Sequence, residues 1–301
     1  MKVTIVGLGL IGGSIALDLR RAGMVKDLVG LDLNPKHATK AVELGLVDRI
    51  ELEHKALASS DIVILAIPVG AICALLPSIL DVVNKENTVV IDVGSTKSQI
   101  CKAASSHPNR SHFVAAHPLA GTENSGPEAS LEGLFKGKTN IICEKEKSAD
   151  LVLMQAGRVF DAMGVKTIFM EPDEHDKHVA YVSHLSHVSS FLLGQTVLDI
   201  EKDEKNIFAL ASTGFESTVR LAKSSSDTWA PIFEQNSEYL SQALLEYIMH
   251  LQKFHYHLVK HDSKELHRIL SRANEIRRVL EGIELKNSKK ETPLGASASK
   301  V

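Results

Sequence analysis

Three cysteines in 301 residues, Cys73, Cys101 and Cys143, are odd in number, widely spaced and without a CxxC pair. That excludes a disulfide framework and a zinc ribbon. No apolar run approaches the roughly 18 residues that cross a bilayer. A net charge of −3 offers no broad basic field for nucleic acid or an anionic membrane surface. Residues 1–20 begin at once with a strand pattern and a glycine cluster, which leaves no room there for a secretory leader. What remains is a chain that is 44% hydrophobic, enough for two cores. A cytoplasmic enzyme with no membrane or nucleic-acid partner is expected.

The glycine cluster is the first positive signal. Residues 2–6 (KVTIV) are β-branched and apolar, Gly7-x-Gly9-x-x-Gly12 follows directly, and residues 13–22 have helix-forming composition with Ile15, Leu17 and Leu19 available for burial. Strand, glycines and helix in that order are what a dinucleotide-binding turn requires. The first glycine permits the tight turn, the second lets a pyrophosphate approach the backbone, and the third lets helix and strand pack closely. Leu10 and Ile11, between the second and third, sit where free N–H groups of the helix start face phosphates. A second apolar run, residues 28–33, carries Asp32, 20 residues after Gly12. An acid there accepts hydrogen bonds from both ribose hydroxyls and repels a 2′-phosphate, which favours NAD over NADP. Lys36 nearby acts in the opposite sense.

Residues 61–68 and 88–93 read as buried parallel strands, and residues 112–116 and 139–143 as further ones. Crossover helices are expected near 35–45, 70–84 and 96–106. This alternation predicts an α/β fold with a Rossmann-like, doubly wound, mostly parallel sheet. After a helix at about 148–163 and a strand at about 165–169, strand signals stop. The expected organisation is a nucleotide-binding domain over 1–170, an all-helical substrate and dimerisation domain over 171–285, and a polar, disordered tail over 286–301. In the last helix Leu266, Ile269, Leu270, Ala273, Ile276, Val279, Leu280 and Ile283 form one apolar stripe. It suits burial in its own domain or packing against a second copy.

Ligands of open α/β sheets sit beyond the carboxyl ends of the strands. Two stretches lie there: Gly94-Ser95-Thr96-Lys97 and the loop that opens His117-Pro118-Leu119-Ala120-Gly121. Ser95 suits a substrate or base-orienting role, and a hydroxyl there equally suits a helix cap. His117, before proline in a glycine-bearing loop, is poorly placed for core packing. The helical half opens with His175, His178, His184 and His187. The spacing of three puts His184 and His187 on adjacent positions of one face. No carboxylate or cysteine joins them in a recognised ligand pattern, so no metal is expected. Arg220 supplies a guanidinium, the natural bidentate partner of a carboxylate, and Trp229, the only tryptophan, follows it.

Together the stretches VGLGLIGGS, DVGSTK, AAHPLAGTENSG, the HD-to-SHLSH run and STVRLAKSSSDTWAPIF resemble, in order and spacing, the prephenate and arogenate dehydrogenase family of tyrosine biosynthesis, over residues 1–283. The resemblance implies NAD as cofactor, a homodimer, and His117 as the histidine that hydrogen-bonds the substrate's C4 hydroxyl. It implies Ser95 as that histidine's hydroxyl partner and Arg220 as the binder of the ring carboxylate. His184 and His187 would line the substrate pocket with Trp229, and Glu123 would lie near the substrate side chain. Ser186 departs from the family, which commonly has proline there, and this bears on the pitch of the helix. Oxidative decarboxylation of prephenate is the expected activity, with arogenate as the closest alternative substrate. A β-hydroxyacid dehydrogenase type of reductase shares the sheet and helices, but explains neither the HPLAG loop nor the SHLSH run. A non-catalytic NAD-binding sensor would bind the cofactor without turnover.

Overall fold

The computed structural model describes residues 1–51, 55–83, 88–202 and 206–282. The tail expected over 286–301 lies outside them, as does Ile283. Eight strands form one sheet: β1 (Lys2–Val6), β2 (Asp27–Leu31), β3 (Arg49–Ile50), β4 (Ile62–Leu65), β5 (Val89–Asp92), β6 (Phe113–Pro118), β7 (Thr139–Cys143) and β8 (Lys166–Met170). Their order is β3-β2-β1-β4-β5-β6-β7-β8. All neighbours are parallel except β6 and β7, which pair antiparallel, with His117 opposite Ile141. The strand order reverses between β1 and β4, and ligands of such sheets bind in the crevice above that point.

The inner strands β4 and β5 are buried, mostly apolar runs because helices cover both faces, whereas the edge strand β8 is largely exposed. In β4, Ile62 and Ile64 enter one core with Val3, Ile5 and helices Leu10–Arg21 and Asp150–Met163. Val63 and Leu65 point the other way, into a core with Leu76, Ile100 and Phe113. Period-two alternation thus divides one short strand between two cores.

After β8 the described chain is helical. Helix Pro172–Val179 passes through a π turn, Ala180–His184, into helix Leu185–Glu201 without a break. The Leu185 N–H reaches back to the Ala180 carbonyl, which inserts one extra residue into the turn. The buried face His175, Asp176, Val179, Ala180 consequently continues at His184 rather than at position 183.

The change of secondary structure near residue 170 is not where compactness changes. The described residues up to 240 form one compact unit and those from 241 to 282 another. Helices Pro172–Val179 and Ser226–Gln235 pack on helices Ser98–Ala104 and Val69–Val82 of the sheet layer, which joins the first part of the helical half to the sheet. In the second unit, helix Ser263–Ala273 ends at a turn over residues 274–275 before helix resumes over 276–282. The apolar stripe is therefore carried by two short helices, and Leu270, Ile276, Val279 and Leu280 are all exposed.

Candidate active site

Gly7 has φ +94°, and a Cβ there would strike the Ala66 carbonyl of the strand-end segment after β4. At Gly12 a Cβ would strike the Gly7 carbonyl oxygen. Both glycines are demanded by the protein's own packing. Gly9 differs: a Cβ there meets nothing within 4 Å. Its position faces open space at the start of helix Leu10–Arg21, where no side chain caps the helix. Uncapped N–H groups beside a gap bounded by a glycine fit a pyrophosphate. Asp32 follows β2 directly, and its two oxygens accept from the Leu8 and Asn34 N–H groups, each at 2.8 Å. Those bonds aim the carboxylate, and its remaining lone pairs can take ribose hydroxyls. These residues fit a dinucleotide.

The segment after β6 is fastened to the same helix. Ser14 Oγ accepts from the Leu131 N–H at 2.9 Å, and Asp18 Oδ1 from that of Gly133 at 2.8 Å. Positions 14 and 18 share a helical face. The loop carrying Glu123 is thus held at its far end by the helix that begins at the glycines.

His117 is half-buried near the carboxyl end of β6. Its Nδ1 lies 2.8 Å from Nε2 of the buried His175, and His175 Nδ1 lies 2.7 Å from Asp176 Oδ1. Among the described residues His117 Nε2 has no partner. Burial pushes the His117 imidazole well below its ordinary value, and the nearby His175, Lys97 and His184 push the same way. It is neutral at physiological pH.

Behind it, Lys97 and Asp92 are both entirely buried. Lys97 Nζ pairs with the Asp92 carboxylate and donates to the Ala116 carbonyl at 2.7 Å. The ammonium therefore grips the peptide that precedes His117. Asp92 also accepts from the N–H groups of Gly94 at 2.9 Å and Ala116 at 3.2 Å.

His184, His187 and Trp229 come together. The His187 ring stacks on Trp229 with centroids 3.4 Å apart, and the His184 ring meets it edge-on at 5.9 Å. His184 Nδ1 is 3.0 Å from Asn236 Nδ2, which also donates to the Asp176 carbonyl at 2.8 Å. Burial draws the His184 imidazole down to about 4, and burial lowers that of His187 as well. Arg220 is close enough to add to the latter. Its guanidinium donates to Glu123 Oε2 at 2.8 Å, and its other donors have no partner among the described residues. The pair is exposed, with 49% of the arginine side chain accessible, so it can open at little cost.

Ser95 is half-buried and its side chain has no hydrogen-bond partner among the described residues. Thr96, beside it, donates to Gln235 Oε1 at 3.0 Å. Sequence reasoning left His175 without a role and did not mark Asp176, Lys97 or Asn236. The adjacent His175-Asp176 pair near a helix start, and the acid–lysine pair flanking the turn after β5, were the available signals. Among the described residues no group of three or more His, Cys, Asp or Glu is placed to hold a metal, and no helix is long and apolar enough to cross a membrane.

A family model described as prephenate dehydrogenase, nucleotide-binding domain, matches residues 15–169. A second, described as prephenate dehydrogenase, dimerization domain, matches residues 171–272. Prephenate dehydrogenase of Bacillus subtilis (strain 168) is 30% identical over 285 residues, which covers 92% of this chain and 76% of that one. The crystal structure of prephenate dehydrogenase from Aquifex aeolicus, in complex with hydroxyphenyl propionate and NAD+, is similar with a TM-score of 0.82 at 32% identity, covering 93% of this chain and 98% of that one. Synechocystis arogenate dehydrogenase is similar with a TM-score of 0.73, also at 32% identity, covering 93% of this chain and 100% of that one.

Proposed function

The chain belongs to the prephenate dehydrogenase family, and on that premise we propose that it catalyses the NAD-dependent oxidative decarboxylation of prephenate to 4-hydroxyphenylpyruvate, a step of tyrosine biosynthesis. The observation that carries this reading is His117: a neutral imidazole near a strand end, fixed through Nδ1, whose Nε2 has no partner among the described residues. A base in that state is ready to accept a hydroxyl proton.

Prephenate bears a hydroxyl at C4 and a carboxylate on the quaternary C1 of a cyclohexadiene. Loss of hydride from C4 creates carbonyl character conjugated to C1, carbon dioxide departs, and the ring becomes aromatic. When bound, NAD+ supplies the hydride acceptor. Gly9, the N–H groups at Leu10, Ile11 and Gly12, and Asp32 would hold it, with Gly7 shaping the turn.

His117 accepts the C4 hydroxyl proton, and Ser95, whose hydroxyl has no partner among the described residues, hydrogen-bonds the same oxygen. Arg220 orients the ring carboxylate through its uncommitted donors. It must do so without over-stabilising the ground-state anion, since that would slow loss of carbon dioxide. His184, His187 and Trp229 form an aromatic wall for the ring, and Glu123 lies toward the substrate side chain. The match of residues 171–272 to a dimerization-domain model, with Leu192, Leu198 and Ile200 exposed on one helix, supports a homodimer.

The likeness to an arogenate dehydrogenase at 32% identity favours arogenate as the second reading. Its ammonium in place of the keto group would suit Glu123. A spectrophotometric assay of prephenate and arogenate, each with NAD+ and NADP+, separates the two. Turnover of prephenate with NAD+ is expected. His117→Asn should cut turnover about 10²-fold or more with NAD+ affinity nearly intact; unchanged turnover removes His117 from the mechanism.

A further inference from the structure

His175 and Asp176 take no part in the chemistry above, yet they are buried directly behind the base. The Asp176 carboxylate accepts the Lys97 N–H at 2.7 Å and the Ser98 N–H at 2.9 Å, besides facing His175 Nδ1 at 2.7 Å. The two backbone N–H donors hold it ionised, and an ionised carboxylate can only accept. The hydrogen between them therefore sits on His175 Nδ1. Neutral His175 then presents a lone pair at Nε2, and that lone pair faces His117 Nδ1 at 2.8 Å. Two lone pairs cannot face each other at that distance, so His117 must donate from Nδ1.

We propose that Asp176 and His175 are positioning residues that fix His117 in its Nδ1–H tautomer, so that the lone pair of Nε2 is the one presented to the reacting hydroxyl. The proposal rests on the reading of His117 as the base. When the substrate O–H bond breaks, its proton bonds to Nε2, the O–H electrons form the C4 carbonyl, and the hydride leaves C4 for NAD+. The positive charge arriving on His117 is balanced through His175 by the Asp176 carboxylate. Lys97 and His184 are the other titratable groups near His117, and in the protonated state both would oppose that charge. That leaves Asp176, joined to His117 through His175, as the balancing anion. A purely structural role, tying helix Pro172–Val179 to the turn at residues 97–98, would need the two backbone bonds to Asp176 but not the histidine between.

The tautomer is read directly from long-range ¹H–¹⁵N correlation spectra of the full protein labelled with ¹⁵N-histidine, the His117→Asn variant identifying the signals. His117 and His175 should both show a protonated Nδ1 and an unprotonated Nε2 at pH 7.5. An Nε2–H tautomer at His117 overturns the proposal whatever the kinetics show. In parallel, His175→Leu should lower kcat for prephenate about 10- to 100-fold, the range seen when an orienting partner is lost, with the KM and NAD+ affinity unchanged within about twofold. His175→Gln keeps both an acceptor and a donor and should recover most of that loss. Equal activity of the Leu and Gln variants, or an unaltered kcat in both, also overturns it. If the native protein does not turn over prephenate, the functional reading fails while the spectrum still decides the tautomer.

Discussion

Lys97→Met keeps the stem that fills the space behind β6 and removes only the ammonium. In the variant Asp92 retains the N–H groups of Gly94 and Ala116 but has no counter-charge, and the Ala116 carbonyl loses the donor at 2.7 Å. Both partners are entirely buried, so water cannot take over. Breaking a buried pair from one side costs about 3–5 kcal/mol, because a charge is left uncompensated. Against a total stability of about 5–15 kcal/mol that is a large fraction. Adding Asp92→Asn removes the stranded charge, and the double variant should recover about 1–3 kcal/mol relative to Lys97→Met.

The penalty should also depend on pH, and the sign is fixed. Burial pushes the Asp92 carboxyl above its usual range, with Lys97 opposing. Without the ammonium it rises further, so over the interval above about pH 3.9 the native state holds a proton that the unfolded chain has released. The contribution of Asp92 then falls as pH rises, so the stability that Lys97→Met loses relative to the native protein should be larger at pH 8 than at pH 5. Urea denaturation midpoints at one fixed protein concentration measure this, since the stability of an assembling chain depends on concentration. A variant within about 1 kcal/mol of the native protein, or a double variant no better than the single, would refute the reasoning.

The inner strands were legible because they are buried, mostly apolar runs bounded by turns, as in β4 and β5. The strand β3 has only two residues and no pattern of its own; it exists because β2 offers an edge to pair with. The antiparallel direction of β7 was equally hidden, since a buried strand reads the same either way along its length. His117, His184, His187, Arg220 and Trp229 stood out as chemistry-bearing types in unusual local settings. Asp176 and Lys97 did not, because a charged residue in a helix or turn ordinarily faces solvent. Their burial comes from each other's surroundings: Asp176 receives two backbone N–H groups 78 and 79 positions away. The π turn at Ala180–His184 likewise ends on a residue whose partners, Asn236 and Trp229, lie far along the chain.

Gly9→Ala should leave the urea midpoint within about 0.5 kcal/mol of the native protein yet weaken NAD+ binding, measured by calorimetry, because only a ligand can occupy the space its Cβ enters. Gly12→Ala, which strikes the Gly7 carbonyl, should lose both, and equal behaviour of the two variants would contradict the distinction. Arg220→Ala should raise the KM for prephenate about 10- to 100-fold, the worth of a charge-assisted pair of about 1.5–3 kcal/mol, and an unaltered KM would remove its role. His184 is held down to about 4 by burial, whereas in the unfolded chain it titrates near 6.5. As pH falls through that interval the unfolded state binds a proton that the native state refuses, so stability drops. Each pH unit inside the window removes about 1.4 kcal/mol, and moving from pH 6.5 to 5 should remove about 2 kcal/mol through this residue. His117, His175 and His187 are lowered as well and add to the slope in the same direction. The His184→Gln variant starts from a lower stability, but its midpoint should fall less between pH 7 and pH 5 than that of the native chain. If the two chains lose stability in parallel, the buried ring does not carry the acid sensitivity assigned to it.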